Sequence, residues 1–172
     1  MRYMLCATLV VALAGQAHAD PLGALKSKVE GKAKETANGA VVDKVNAKLL
    51  DEGRKNQCSF KSDSDVLEPG CDAKAKKLAN VLIDIKKQLA SSGTTGYHFV
   101  VSGHTDSSGK ADYNLALSKK RAAVMVKELV ARGVPRNDII SIGMGSKKML
   151  VKPDDTPAKK AKNRRYEIQV EL

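Results

Sequence analysis

From Asp72 to the end of the chain the hydrophobic period switches repeatedly between about 3.6 residues and 2. Such alternation forces helices and strands to share one core, so it selects a layered α/β structure. Leu78, Leu82, Ile85 and Leu89 form one helical stripe, and Asp72 can cap a helix running to about Ala90. His98 to Ser102 reads as a buried strand. Leu115, Ala122, Met125, Val126 and Leu129 predict a second helix from about Tyr113 to Ala131, stopped by Gly133 and Pro135. Ile139 to Met144 reads as a strand. At the end of the chain Tyr166, Ile168 and Val170 alternate with Arg165, Glu167, Gln169 and Glu171, the pattern of a strand with one wet face. A short strand over Gln57 to Lys61, followed by the turn Glu68-Pro69-Gly70, completes the order βαβαββ. The expected fold is an α/β (α+β) two-layer sandwich, with helices on one face of a small mixed four-stranded sheet and right-handed crossovers between parallel strands.

The first nineteen residues read as an export signal. Arg2 supplies the positive start, Met4 to Ala14 is apolar, and Ala17-His18-Ala19 carries small residues at a cleavage site, so Asp20 begins the mature chain. A short membrane anchor is the alternative, but the run falls below the ~20 apolar residues that a span needs. Cys6 precedes most of the apolar run, so no lipid anchor is expected there. The expected location is the periplasm, in association with the outer membrane. Residues 20–55 form a separate arm or linker in this reading. Leu22, Leu25, Val29 and Ala33 follow helical spacing, as do Val41, Val45 and Leu49, while Gly31 and Gly39 interrupt. One or two weak amphipathic helices result. They fit a solvated spacer, a surface for another envelope protein, or a contact with a membrane surface. Residues 56–172 are the expected folded domain.

Without the signal the chain holds 29 basic against 19 acidic side chains, a net charge of +10. That charge attracts polyanions. Export and a shortage of aromatic side chains, with no Trp at all, turn the expectation from nucleic acid to envelope polymers and lipid surfaces. Cys58 and Cys71 survive cleavage. An even count in an exported chain predicts a disulfide; two free thiols or a metal site are the alternatives.

The informative stretch is VVSGHTDSSGKADYNLALSKKRAA, Val100 to Ala123. A buried strand delivers Gly103, His104, Thr105 and Asp106 to its carboxyl end, and a turn leads into the next helix. Asn114, Leu117 and Arg121 share one stripe of that helix. A carboxylate and a guanidinium can therefore flank one groove. Asp106 would take an ammonium group, Arg121 would take a carboxylate through paired hydrogen bonds, and Leu117 would floor the groove. In the rival reading the two simply pair and hold the loop on the helix. No nucleophile stands beside a base, so no catalytic residue, cofactor or metal is expected. His104 is read as a histidine bonded within its loop.

These residues resemble the OmpA-like peptidoglycan-binding domain shared by OmpA C-terminal regions, Pal-type lipoproteins and MotB-type stators. The resemblance rests on Gly103-His104-Thr105-Asp106, Gly109, Asn114 with Leu117-Ser118, Arg121-Ala122, Gly143-Met144-Gly145 and Asn163-Arg164-Arg165, in order and at fitting spacings from about residue 57 onward. Phe60, Ser64 and Leu67 fit the family's opening strand and loop more loosely. The resemblance implies non-covalent binding of peptidoglycan through the diamino acid of the peptide stem, usually meso-diaminopimelate. It gives Asp106 the ammonium and Arg121 the carboxylate. Thr105 would help through its backbone, Asn114 and Leu117 would shape the pocket, and Arg164 would reach the ligand or pair with an acidic neighbour. Lys61 departs from the Asn or Asp of many relatives, and Cys58 and Cys71 are not part of the general pattern. The loop from Lys147 to Lys162 carries six lysines, which either contact an anionic wall or stay solvated. The remaining rival is a basic binder of envelope polyanions or lipid, in which Asp106 and Arg121 are structural.

Overall fold

The computed structural model describes residues 21–61 and 63–172, with side chains from residue 38 onward. The export signal expected over 1–19 and the stripe Leu22, Leu25, Val29 and Ala33 lie outside the described residues or side chains. The chain divides into two units, Met1–Glu35 and Thr36–Leu172. Of the first, the backbone from Pro21 is helical. The second holds everything that follows.

Helix α1 spans Pro21–Lys55 without a break, so Gly31 and Gly39 do not interrupt it. Its last part is anchored by tertiary contact. Val42, Val45 and Leu49 are buried in the main core, and that burial outweighs the ~1 kcal/mol cost of each glycine. Helix α2 (Cys71–Ser91) buries Leu78, Leu82, Ile85 and Leu89, the stripe read from the sequence. It starts earlier than expected. Gly70, at φ 86°, takes the cap position, and Asp72 sits in the first turn, where Arg132 Nη2 reaches it at 2.5 Å. Strand β1 (His98–His104) leads to helix α3 (Ala111–Val130), strand β2 (Ile139–Gly145), the short helix α4 (Pro157–Asn163) and strand β3 (Tyr166–Glu171).

Among the described residues the sheet has three strands, in the order β2-β1-β3, with β1 parallel to β2 and antiparallel to β3. The fourth strand expected over Gln57 to Lys61 is replaced by one antiparallel bridge, Phe60 to Leu67. The reason lies at the free edge of β3. The Asn46 amide donates to the Val170 carbonyl at 3.1 Å and accepts from its N–H at 2.7 Å. The Gln57 amide does the same for Tyr166, at 2.7 and 3.4 Å. Two side-chain amides thus occupy backbone groups that a further strand would use.

Phe99, Val101, Tyr166, Ile168, Val170 and Ile139 face the helices. Helix α3 lies so close to β1 and β2 that two glycines are required. A Cβ on Gly103 would overlap the Ser118 carbonyl, and one on Gly143 would stand 2.7 Å from Leu115 O and Lys119 N. A register shift after Gly103 pairs His104 with Gly145, leaving Met144 as an extra residue. This bulge ends the ladder just before the polar loop. Cys58 and Cys71 form a disulfide, with Cα atoms 5.1 Å apart, that ties the start of the 58–70 segment to α2.

Candidate functional site

Thr105 N–H donates to Gly145 O at 2.9 Å, so the backbone is fixed up to the residue before Asp106. Asp106 is the second residue beyond β1. Its Oδ1 accepts from Ser108 N–H at 2.9 Å, closing a tight turn, and Asn114 Nδ2 steadies that turn through Ser108 O at 2.7 Å. The turn is held from the other side by a buried network. Asp154 accepts from Ser107 N–H at 2.9 Å, from Ser107 Oγ at 2.5 Å and from Asn163 Nδ2 at 3.1 Å. Asn163, fully buried, also accepts from Leu150 and Val151 N–H and donates to Val151 O. Hydrogen bonds, those of Ser107 first, hold the Asp154 carboxyl down to about 2.

The turn opens onto a cavity of about 650 Å³. All six residues singled out from the sequence, Thr105, Asp106, Asn114, Leu117, Arg121 and Arg164, line it. Asp106 and Arg121, which the rival reading pairs, do not bond to each other. Asp106 Oδ2 takes Arg164 Nη1 at 2.8 Å. Arg121 instead donates from Nε to Ser64 O at 2.9 Å and from Nη2 to Lys61 O at 3.3 Å, with its guanidinium carbon 5.1 Å from the centre of the Phe60 ring. Asp106 and Arg121 are only 8% and 6% exposed, and Arg164 is much more open. Burial pushes the Asp106 carboxyl up, but Arg164 and Ser108 outweigh it, so it titrates below its ordinary value. Burial, and then the neighbouring Arg164 charge, lower the Arg121 value. An anion beside Arg121 would oppose both effects.

The Thr105 N–H is spent on Gly145 O, while its buried hydroxyl has no partner among the described residues. Sequence reading did not assign Asp63 and Tyr113 to the site and took Lys160 only as one of the six lysines of the 147–162 loop; all three also line the cavity. Tyr113 Oη donates to Asp63 Oδ1 at 2.7 Å, and Lys160 Nζ donates to Ser108 Oγ at 2.9 Å. Only proximity in space marks them; their spacing along the chain carries no signal.

His104 lies beside Ser102 and Glu167, which superficially resembles a catalytic triad. Ser102 Oγ stands 3.2 Å and Glu167 Oε2 3.7 Å from the same ring nitrogen, Nε2. A triad needs the serine and the carboxylate on opposite nitrogens. Burial first, then Arg165, holds the His104 ring down to about 4, so it is neutral at pH 7. No group of three metal-ligating side chains occurs among the described residues.

Comparison with known proteins bears on the family and the fold. The chain is 41% identical over 70 residues to the peptidoglycan-binding protein ArfA of Mycobacterium tuberculosis, covering 41% of this chain and 21% of that protein. It is 42% identical over 59 residues to the peptidoglycan-associated lipoprotein of Rhizobium meliloti, covering 34% of each. The chain thus spans about a fifth to a third of the length of these relatives. The crystal structure of the peptidoglycan-associated lipoprotein from Burkholderia pseudomallei superposes with a TM-score of 0.55 at 26% identity, over 67% of this chain and 89% of that one. The OmpA family pattern matches residues 59–164, well over half of the sequence: the chain belongs to the OmpA family.

Proposed function

We propose that this protein binds peptidoglycan without chemistry, by gripping the diamino acid of the peptide stem, meso-diaminopimelate, in the groove at the carboxyl end of β1. The observation that carries the reading is that a buried carboxylate, Asp106, and a buried guanidinium, Arg121, line one open cavity without pairing with each other. The names of relatives that bind or associate with peptidoglycan support it. Asp106 receives the ligand's ammonium, sharing or exchanging its contact with Arg164. Arg121, already aimed by two carbonyls, receives the carboxylate with its remaining N–H groups. Leu117 packs on the methylene chain and Asn114 holds the turn. The protein works in the periplasm, at the outer membrane or the wall, as an anchor or scaffold. Of residues 20–55, the part before the core-packed Val42 serves as an arm toward another envelope protein or a membrane surface.

The test is co-sedimentation of the protein with purified sacculi at low and high salt. Wild type should pellet at both, and Asp106→Ala and Arg121→Ala at neither. If all three pellet alike and salt releases them, the net charge of +10 carries the binding and the pair is structural.

A further inference from the structure

The charges around the groove do not balance, and the imbalance says more about the ligand. Arg121, Lys160, Arg164 and Arg165 line it against Asp63 and Asp106. Arg165 is matched by Glu167, whose Oε1 lies 2.7 Å from its Nε. Arg164 is matched by Asp106. Arg121 is held only by two neutral carbonyls and an aromatic ring, and Lys160 only by the Ser108 hydroxyl. Asp63 is shared with the Tyr113 hydroxyl.

A ligand with one ammonium and one carboxylate would leave this count unchanged. Its ammonium would also compete with Arg164 for Asp106, and its carboxylate would satisfy Arg121 alone. Arg164 and Lys160 would then face the groove without an anion. Both act on the same turn, Arg164 through Asp106 and Lys160 through Ser108, and both line the groove.

Building on the diamino-acid reading, we propose that Lys160 and Arg164 form a second, carboxylate-binding subsite, so that the groove selects stems bearing one ammonium and two free carboxylates. A stem has such a second carboxylate on the glutamate that precedes the diamino acid. Amidation there would remove the charge while keeping the size, leaving the two cations without an anion from the ligand. Lys160 is thus a specificity-determining residue that sequence spacing does not reveal.

The experiment is calorimetric titration of the full mature chain with two synthetic peptides blocked at both ends. One is N-acetyl-L-alanyl-γ-D-glutamyl-meso-diaminopimelate amidated at the L-centre carboxyl of the diamino acid, which keeps one ammonium and two carboxylates. The other is its analogue amidated also at the glutamate α-carboxyl. Wild type should bind the free acid roughly tenfold more tightly, the scale expected for a hydrogen bond to a charged group. Lys160→Ala should narrow the gap between the two peptides, chiefly by weakening the free acid, with Arg164 keeping the remainder. Lys162→Ala, which removes an exposed charge from the same helix outside this groove, should keep the discrimination. Equal affinity of wild type for both peptides, with binding still abolished by Asp106→Ala, overturns the second subsite and leaves the diamino-acid reading standing. Discrimination undiminished in Lys160→Ala overturns the role of Lys160. If neither peptide binds, the diamino-acid reading fails and this inference fails with it.

Discussion

The side chain of Asn46 pairs with the backbone of Val170 as a neighbouring strand would, giving and receiving one hydrogen bond at 3.1 and 2.7 Å. Gln57 repeats the arrangement at Tyr166 two alternate residues away. The end of α1 is therefore an edge cover for the sheet. Asn46→Leu keeps a similar volume but removes both bonds. It should lower stability by about 1–2 kcal/mol, read as a lower midpoint in urea unfolding. Asn46→Leu should also aggregate more readily, because the Val170 N–H and C=O are freed for pairing with another chain.

Two backbone sites should reject any side chain. Gly143→Ala places a methyl 2.7 Å from Leu115 O and Lys119 N, and Gly103→Ala overlaps the Ser118 carbonyl. The obstacles are helix backbone and cannot rotate aside. Each change should cost about 1–3 kcal/mol or more by thermal or chemical unfolding. Gly53→Ala, on the α1 helix with open space around its Cβ, is the control and should be neutral or slightly stabilising.

Asp154 links stability to acid. Its carboxyl is held down to about 2, chiefly by Ser107, against an ordinary value of 3.8. A depressed folded-state value means that the contribution is complete above the ordinary value and disappears as pH falls toward 2. Asp106 shifts in the same direction. Unfolding midpoints measured from pH 6 to pH 2.5 should fall through the acid range in wild type and fall less steeply in Asp154→Asn. The same variant should weaken sacculus binding at pH 7, since Asp154 positions the turn that presents Asp106. Binding equal to wild type would assign Asp154 to stability alone.

The disulfide of Cys58 and Cys71 closes the segment that supplies the Lys61 and Ser64 carbonyls to Arg121. Its removal in Cys58→Ser/Cys71→Ser should cost about 3 kcal/mol in the chain-entropy model. Wild type treated with reductant should show the same fall in melting temperature. Because Arg121 loses a fixed support, affinity for sacculi should drop along with stability.

Local pattern fixed much of this protein in advance. The stripe Leu78, Leu82, Ile85 and Leu89 and the alternation of Tyr166, Ile168 and Val170 state which faces are buried, because periods of 3.6 and 2 are properties of the chain alone. The sequence also sets Thr105 and Asp106 just beyond a buried strand, with Asn114, Leu117 and Arg121 on the helix that follows, and all five line the groove. Tertiary structure decided the partners. Arg164 reaches Asp106 from 58 residues away, and Arg121 turns to carbonyls 57 and 60 residues behind it. It also decided that the amides of Asn46 and Gln57, rather than a fourth strand, cover β3, and that α1 runs through Gly31 and Gly39. Such choices depend on which groups meet in space and what each must shed of water to do so. No period along the chain carries that information.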